Sequence, residues 1–339
     1  MMRLTVWTCA FVLAPAVAYA EAGPLPPKIE MEVIGTFPGY QWAIPTSMNN
    51  RGEIVGYAGP TLHGLQDAFF WSRETGFQLI RERSVATDIN ERGQVTLGWV
   101  ECNSGGESCG YRGAIWNARA RTFDDLGALY PAAINNRGEV AGTCLNQERT
   151  AFGVCVAHPT GLIDEWFCER DFCTLWPAAI NERGDVVGWR YIDSWTELET
   201  HGILLTKNGE RSVLSDFAAE DINNRGIVVG GQRKPYMGGT WGVPAIWRKS
   251  GVQALSYWGG ASSVNARGWI VGTLYPDGTP SYGTGFVWSN KTQSPVFLTP
   301  DEASTAVDIN DRGDIVGTLG PLWDPKALVI WRVGGKVLH

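Results

Sequence analysis

The chain has 339 residues and a formal net charge of −7, with 28 Lys and Arg against 35 Asp and Glu, and no basic cluster. Nucleic acid is excluded as an expected partner, because its recognition needs a basic patch or stripe. The length would accommodate two ordinary domains, but a sequence repeat runs almost end to end without a Pro/Ser-rich linker, which favours a single domain.

The amino-terminal segment, MMRLTVWTCAFVLAPAVAYA, has a basic Arg3, an apolar run and an Ala18-x-Ala20 ending. This pattern predicts a secretory signal peptide over residues 1–20 and a mature domain over residues 21–339. The apolar run, interrupted by Pro15, is shorter than the ~20 residues that a membrane-spanning helix needs. We therefore expect an exported protein that is secreted or periplasmic and has no membrane span.

The next element is a predicted strand, EMEVIGTF, over residues 30–37. It resembles the last strand of the repeat that follows, without the three strands that precede it there. A closed ring of repeats needs its two ends joined, so we expect this strand to dock on the last repeat, either as its outer strand or beside the carboxy-terminal strand.

A similar dozen residues then recurs seven times, as in AAINERGDVVGW over residues 178–189, with successive asparagines 41, 45, 46, 42, 42 and 45 residues apart. A period in this range is typical of propellers and related arrays. In each copy, N-x-R-G predicts a type I turn closed by a glycine bulge, which joins two antiparallel strands. The shared asparagines are Asn49, Asn90, Asn135, Asn181, Asn223, Asn265 and Asn310.

Two further strands follow each hairpin: one ends in a motif such as AFFW (Trp71), GAIW (Trp116) or LVIW (Trp331), and a short apolar one such as FQLI comes after a polar turn. Four short antiparallel strands per repeat match the blade of a β-propeller. The sequence therefore predicts an all-β, seven-bladed β-propeller of four-stranded antiparallel blades, with the amino-terminal strand closing the ring on the last blade.

The pairing of a DIN-x-RG-x-VVG hairpin with a HAFLW-like strand resembles the bacterial extracellular HAF-repeat family. The resemblance covers about residues 29–338 and is specific at the hairpin; at the second motif, His201-Gly202-Ile203 keeps the family's histidine. It implies secretion and tandem repeats, and it carries no common activity over to this chain.

Six cysteines remain after removal of the leader, and an even number in an exported chain indicates disulfides. Six cysteines allow 15 connectivities, but the short spacings favour neighbouring pairs. Such pairs would brace blades two to four. The cysteines are Cys102, Cys109, Cys144, Cys155, Cys168 and Cys173.

Residues that recur identically in every blade are expected to serve the blade, so the repeated Arg, Asn and strand-end Trp residues are interpreted as structural. Function is sought where the copies differ. Loops between the second and third strands, and crossings from one blade to the next, must share one face of a propeller. Every long, variable stretch of this sequence falls in those two classes.

That face is rich in aromatic residues, with Trp42, Tyr130, Trp176 and Trp258 in the crossings. Rings beside polar groups suit a ligand with apolar faces and polar edges, such as a glycan, and they are also enriched at protein interfaces. The alternative is that they merely cover the blade ends. The predicted ligand-binding residues are Trp195, Tyr236, Trp241, Tyr275, Tyr282, Trp323, Arg190, Arg233 and His201.

Recognised motifs for hydrolases, phosphate loops, zinc and calcium are absent from the sequence, so no metal and no cofactor are predicted. The expected partner is an extracellular glycan or a cell-surface protein. A carbohydrate-active enzyme on the same face is the alternative: a polysaccharide lyase with Tyr236 or His201 as base and Arg190 or Arg233 neutralising a uronate, or a glycoside hydrolase. A purely architectural protein is the third hypothesis. The carboxylates open to the hydrolase are Asp193, Glu197, Glu199 and Asp277.

Overall fold

The computed structural model describes residues 29–61, 64–103, 109–148, 151–168, 173–193, 198–236, 239–276, 282–289, 294–321 and 323–333. Within these ranges the protein is all-β, with 28 strands in seven four-stranded antiparallel sheets. The predicted all-β, seven-bladed β-propeller is therefore confirmed. The predicted leader lies outside the described residues.

Each blade has a first strand next to the ring axis and three strands that follow it outward. The first strands are β2 (Trp42–Met48), β6 (Val85–Ile89), β10 (Tyr130–Ile134), β14 (Cys173–Ile180), β18 (Phe217–Ile222), β22 (Gly259–Val264) and β26 (Ser304–Ile309). The second strands are β3 (Ile54–Gly59), β7 (Gln94–Cys102), β11 (Val140–Leu145), β15 (Val186–Asp193), β19 (Val228–Tyr236), β23 (Trp269–Leu274) and β27 (Asp314–Leu319). The third strands are β4 (Asp67–Ser72), β8 (Cys109–Asn117), β12 (Phe152–Ala157), β16 (Leu198–Leu205), β20 (Gly239–Arg248), β24 (Thr284–Ser289) and β28 (Ala327–Val333). The fourth strands are β5 (Gly76–Arg81), β9 (Thr122–Gly127), β13 (Ile163–Trp166), β17 (Arg211–Leu214), β21 (Gly251–Ala254), β25 (Val296–Phe297) and, on the seventh blade, β1 (Ile29–Gly35).

The ring closes on the seventh blade, where β1 pairs antiparallel with β28 as the outer strand. This outcome confirms the first of the two positions predicted for the amino-terminal strand. The Glu32 carboxylate accepts hydrogen bonds from Arg332 of the seventh blade at 2.9 Å and from Arg73 of the first blade at 2.8 Å. The amino-terminal strand thus connects the last blade to the first.

Hydrophobic cores lie between neighbouring blades. Two successive apolar residues after a turn contribute to the cores on the two sides of their blade. Val186 and Val187 are both fully buried on β15, and successive residues of a strand point to opposite faces. Val186 packs into the core shared with the third blade, and Val187 into the core shared with the fifth. A single blade therefore buries its two faces only when it has neighbours on both sides.

The N-x-R-G turns have the predicted conformation. In the fourth blade the Gly184 N–H donates to the carbonyl oxygen of Asn181 at 3.0 Å, and Gly184 has a φ of 88°. A positive φ is favourable for glycine and unfavourable for residues with a Cβ atom, which explains the glycine at this position of the turn. The equivalent glycine has a positive φ in all seven repeats.

The asparagine side chains of these turns form a ring of hydrogen bonds around the axis. Each Oδ1 accepts the backbone N–H groups two and four residues further on, at 2.9 to 3.1 Å. Each Nδ2 donates to the carbonyl oxygen of the equivalent asparagine in the next blade, at 3.0 to 3.4 Å. The last of these bonds, from Asn310 to Asn49, closes the ring.

A second set of bonds runs outside the first. The backbone N–H after each asparagine donates to the side chain at the same position in the next blade, as from Glu91 to Asn136 at 2.7 Å. Six such bonds occur among the described turns, and Ala266 provides no acceptor for a seventh. The Arg92 Nε donates to the Asn136 carbonyl at 2.6 Å, which supports the structural interpretation of the repeated arginines.

We predict that Asn135→Ala lowers the free energy of unfolding by about 2–4 kcal/mol, because it leaves buried backbone donors and the next carbonyl without their partners. Asn136→Ala is the matched control and should cost about 1 kcal/mol or less, since the sixth turn already carries Ala266 at the equivalent position. Urea unfolding of both variants measures the difference. Equal costs would contradict the structural importance of the inner ring.

Candidate functional site

The two ends of the ring differ in chemistry. The turns between first and second strands lie at one end, called here the hairpin end. The loops between second and third strands and the crossings between blades lie at the other, called here the loop end. This separation follows from the antiparallel order of the strands within every blade.

Four half-buried aromatic rings form a continuous row at the loop end, spanning blades two to four, which we call the aromatic arc. Tyr130 contacts Tyr111 at 5.1 Å between ring centroids, and Tyr111 contacts Phe152 at 5.6 Å. Phe152 stacks on Trp176 at 5.6 Å. Two more aromatic contacts of this end flank the arc: Trp42 against Tyr57, and the Arg81 guanidinium over Trp99 at 4.1 Å.

The local sequence explains how Tyr130 enters the arc. Tyr130 begins β10, and its ring lies over Gly98 of the neighbouring blade, where an added Cβ would come within 2.7 Å of ring atoms. A larger residue at this position would therefore displace the ring. Burial, with neighbouring Tyr111 and Tyr57, raises the pKa of Tyr130 and keeps its hydroxyl protonated.

Three disulfides support the strands that carry the arc, and they join the predicted neighbouring cysteines. Cys102–Cys109 links β7 to β8 beside Tyr111, and Cys144–Cys155 links β11 to β12 beside Phe152. Cys168–Cys173 closes the crossing into β14, which carries Trp176. These bonds indicate an oxidising compartment and restrain the strands that hold three of the four rings.

The predicted aromatic ligand residues are dispersed over several blades. Trp195 lies outside the described residues, and Tyr236 and Trp241 are described by their backbones alone, near the facing ends of β19 and β20. In the sixth blade, Tyr275 is half-buried and Tyr282 is 70% exposed. Trp323 of the seventh blade is 66% exposed.

Among the predicted polar residues, the structure brings Arg190 and His201 together. They are directly opposite each other on β15 and β16, and directly opposed residues point to the same face of a sheet. Arg233 lies on β19 in the next blade, where its backbone N–H donates to the Asp216 carbonyl at 2.8 Å. Arg190 and His201 are both half-buried.

Sequence reasoning missed Tyr57, Trp99, Tyr111 and Phe152, because it searched for aromatic residues in long loops and crossings. Tyr111 and Phe152 instead lie near the beginnings of their strands, in the sequences CGYRG and AFGVC, close to bonded cysteines. The sequence did contain a signal for these two residues: each is an aromatic residue close to a cysteine.

A second group that sequence reasoning missed lies at the hairpin end, where a cavity of about 210 Å³ opens on the axis. Three aspartates line it: Asp88, Asp221 and Asp308. Each accepts the backbone N–H of its own next residue and that of the neighbouring blade, as Asp88 does from Ile134 at 2.8 Å. The carboxylates therefore join adjacent blades.

Two serines connect the three carboxylates. Ser47 Oγ lies 2.7 Å from Asp88 and 3.2 Å from Asp308, and Ser263 Oγ lies 2.7 Å from Asp308 and 3.0 Å from Asp221. A hydroxyl has one proton, so it fully donates to one of its two neighbours. The second short contact of each serine needs another proton, which a protonated carboxyl group would donate to the serine oxygen. The arrangement therefore favours partial protonation of the three aspartates.

Burial also favours the protonated form of these carboxyl groups, because it raises their pKa values. Burial is the largest influence and raises the pKa of Asp88 to about 6 and that of Asp221 to about 7, from an ordinary value of 3.8. The pKa of Asp308 is also raised by burial. Burial, with the adjacent Asp221, raises the pKa of Glu220 to about 7. The hydrogen bonds from backbone and serine donors oppose these shifts.

The sequence position of these aspartates within the repeat could have indicated that they differ from the other copies. Two residues before the shared asparagine, the seven copies carry Ser47, Asp88, Ala133, Ala179, Asp221, Ser263 and Asp308. A register shift in every first strand precedes this position. The variation is visible in the sequence, but only the closed ring shows that the three carboxylates share two serines.

We predict that folding stability rises as the pH falls from about 7 to about 4.5. In this window the folded protein binds protons on Asp88 and Asp221 that the unfolded chain, with a pKa near 3.8, does not bind. The melting temperature should rise by about 2–5 °C, and by less in Asp221→Asn. Below about pH 4.5, loss of ion pairs by Glu32, Glu53 and Glu139, whose pKa values are lowered, should reverse the trend.

Asp124→Asn, at an exposed position on β9, is the control for the loss of one carboxylate and should keep the wild-type pH profile. Calorimetric melting at half-unit pH steps measures all three proteins. A flat wild-type profile, or a fall in stability from pH 7 to pH 5, would contradict the raised pKa values of the carboxylate cluster.

The described part of the chain offers neither a metal centre nor a membrane-spanning helix. No group of three or more His, Cys, Asp or Glu there is arranged to hold a metal ion. No helix among the described residues is long and apolar enough to cross a membrane.

The fold is similar to that of solved β-propellers. A structure of streptogramin B lyase is 10% identical, with a TM-score of 0.57 over 90% of this chain and 98% of that one. Virginiamycin B lyase from Staphylococcus aureus is 8% identical, with a TM-score of 0.56 over 90% and 100% of the two chains. The β-propeller domain of the Trilobed protease from Pyrococcus furiosus is 13% identical, with a TM-score of 0.54 over 70% and 78%.

Similarity at these identities shows the fold alone. No protein-family model and no curated protein matches the sequence. The HAF-repeat resemblance therefore stays a prediction.

Proposed function

We propose that this protein is exported and that it binds an extracellular glycan through the aromatic arc at its loop end. The observation that supports this proposal is the continuous row of half-buried rings from Tyr130 to Trp176, with disulfides beside three of its members. A sugar ring has an apolar face that packs on an aromatic ring and hydroxyls at its edge that reach polar groups such as the tyrosine hydroxyls.

The length of the row favours an oligosaccharide over a single sugar. Successive rings lie 5.1 to 5.6 Å apart, so the four rings extend over several sugar-sized positions. The bracing disulfides reduce the conformational entropy that ordering this surface would otherwise cost. A cell-surface protein is the other extracellular partner that such an aromatic surface accommodates.

We predict that Trp176→Ala and Phe152→Ala each weaken binding to a soluble glycan ligand by about 10- to 30-fold, as expected for central aromatic contacts. Phe123→Ala is the matched control, because Phe123 is 51% exposed on the outer strand β9, away from the arc. A glycan array identifies the ligand, and titration calorimetry measures the affinities, with the melting temperature confirming the folded state of each variant.

Trp323→Ala separates the arc from the rest of the loop end. Trp323 lies in the seventh blade, so its loss should leave glycan binding unchanged if the arc alone forms the site. Full affinity in the two arc variants, together with loss in Trp323→Ala, would move the site to the exposed loop residues predicted from the sequence. Absence of binding to every glycan tested would overturn the proposal.

Export is a separate part of the proposal. The three disulfides support it, as does the predicted leader. We predict that the protein recovered from the periplasm or medium of a bacterial host begins at Glu21, which amino-terminal sequencing and intact mass would show. A soluble intracellular product that retains Met1 would contradict this prediction.

The second candidate function is a carbohydrate-active enzyme on the same face. The opposition of Arg190 and His201 favours a polysaccharide lyase, in which the histidine removes a proton and the arginine neutralises a uronate carboxylate. An ultraviolet-absorbing unsaturated product from a uronic polysaccharide would support the lyase. New reducing ends without that absorbance would support a glycoside hydrolase.

A further inference from the structure

A small cleft between the third and fourth blades, called here the interblade pocket, is distinct from the aromatic arc. It has a volume of about 210 Å³. Most of its wall is hydrocarbon, and its defining residues are Phe167, Leu175, Arg190, Ile192, Ile203 and Val213.

The pocket continues the hydrophobic core that the two blades share. Leu175 and Ile203 are buried members of that core, and they also line the pocket. The Cys168–Cys173 disulfide forms part of the wall and closes the crossing between the two blades. The interblade pocket is thus an apolar cavity with a disulfide in its wall, and apolar cavities of this size bind apolar groups.

Arg190 gives this apolar gap a positive charge. It lies on β15 with Leu175 opposite on one side and His201 opposite on the other. Its Nε is buried and has no hydrogen-bond partner. An unpaired buried donor on a charged group is unfavourable, so an acceptor that reached it would gain a charge-assisted hydrogen bond.

A second arginine stands at the same pocket. Arg211 lies on the outer strand β17, and its Nη1 donates weakly to the Phe167 carbonyl at 3.4 Å. Two guanidinium groups beside a hydrocarbon wall match an anionic head attached to an apolar body, and the planar guanidinium suits a carboxylate.

We propose that the interblade pocket binds a small organic carboxylate whose tail is a single aromatic ring or a short hydrocarbon chain. The carboxylate accepts from Arg190 Nε, and the tail packs between Phe167, Leu175, Ile192 and Ile203. A cavity of about 150 Å³ already holds benzene, so about 210 Å³ suits one ring with a short chain. The hydrocarbon wall disfavours a sugar, so this site is separate from the glycan arc, and it gives Arg190 a different role from the uronate contact of the lyase alternative.

The test is titration calorimetry of the full mature protein with 3-phenylpropanoate, octanoate and the uncharged 3-phenylpropan-1-ol. We expect the two acids to bind at least about ten-fold more tightly than the alcohol, because only the acids place a negative charge against the Arg190 guanidinium. Arg190→Met should remove that advantage and change the affinity for the alcohol far less than that for the acids. Arg248→Met, on the third strand of the fifth blade, is the control for loss of one positive charge and should bind like the wild type.

Val213→Trp provides a second, independent variant. Val213 is 47% exposed on β17 and lines the pocket opposite Ile203, so a larger side chain there should block the cleft and weaken all three ligands while the fold is kept. Absence of acid binding to the wild type, or undiminished acid binding by Arg190→Met, would overturn the proposal. Neither result bears on the arc, because the variants and ligands of the two tests are different.

Discussion

Seven asparagine amides set the geometry of the ring, because each one organises its own turn and also holds the turn of the next blade. The Oδ1 atom accepts two backbone donors within its repeat, and the Nδ2 atom donates across to the neighbouring carbonyl. The last bond, from Asn310 to Asn49, returns to the start of the ring, so all seven turns are held at one radius and one height. Loss of any one of these amides would leave the next carbonyl without this partner. The paired apolar residues after each turn then face the two neighbouring blades, and the interblade cores form as a consequence.

Because of this constraint, the backbone geometry is the same in every blade at the hairpin end, whereas it varies from blade to blade at the loop end. The hairpin end repeats because its hydrogen bonds pass from blade to blade, and a change in one copy affects two junctions. The loop end has no such ring of bonds among its described residues, so its loops differ in length and composition between blades. Disulfides take over part of the restraint there, and they do so in blades two to four, where the aromatic arc and the interblade pocket lie. The proposed binding surfaces thus occupy the part of the variable end that covalent bonds hold in place.

The carboxylate cluster shows how a departure from the repeat can still serve the fold. Asp88, Asp221 and Asp308 replace the small residues of other copies, which is a pattern that suggests catalysis in a repeat protein. Their oxygens, however, accept backbone donors from two blades and hydroxyl groups from Ser47 and Ser263. They join neighbouring blades by hydrogen bonds around the cavity on the axis. The proposed ligand contacts are at the opposite end, where Tyr111, Phe152 and Trp176 do not bridge repeated backbone groups.

The sequence left two positions open for the closing strand, but by itself it determined the all-β class and the seven blades and favoured the neighbouring cysteine pairs. Each of these depends on a pattern local to one repeat: a turn that needs asparagine and glycine, a strand that buries two successive residues, or cysteines separated by a short loop. The tertiary structure alone decided which side chains meet across blades. Tyr130 reaches Tyr111 over Gly98, two serines link three aspartates that lie up to 220 residues apart in the chain (308 minus 88), and Arg190 faces an apolar gap. Contacts of this kind depend on the radius and stagger of the closed ring, and no period in the sequence encodes the distance between side chains on neighbouring sheets.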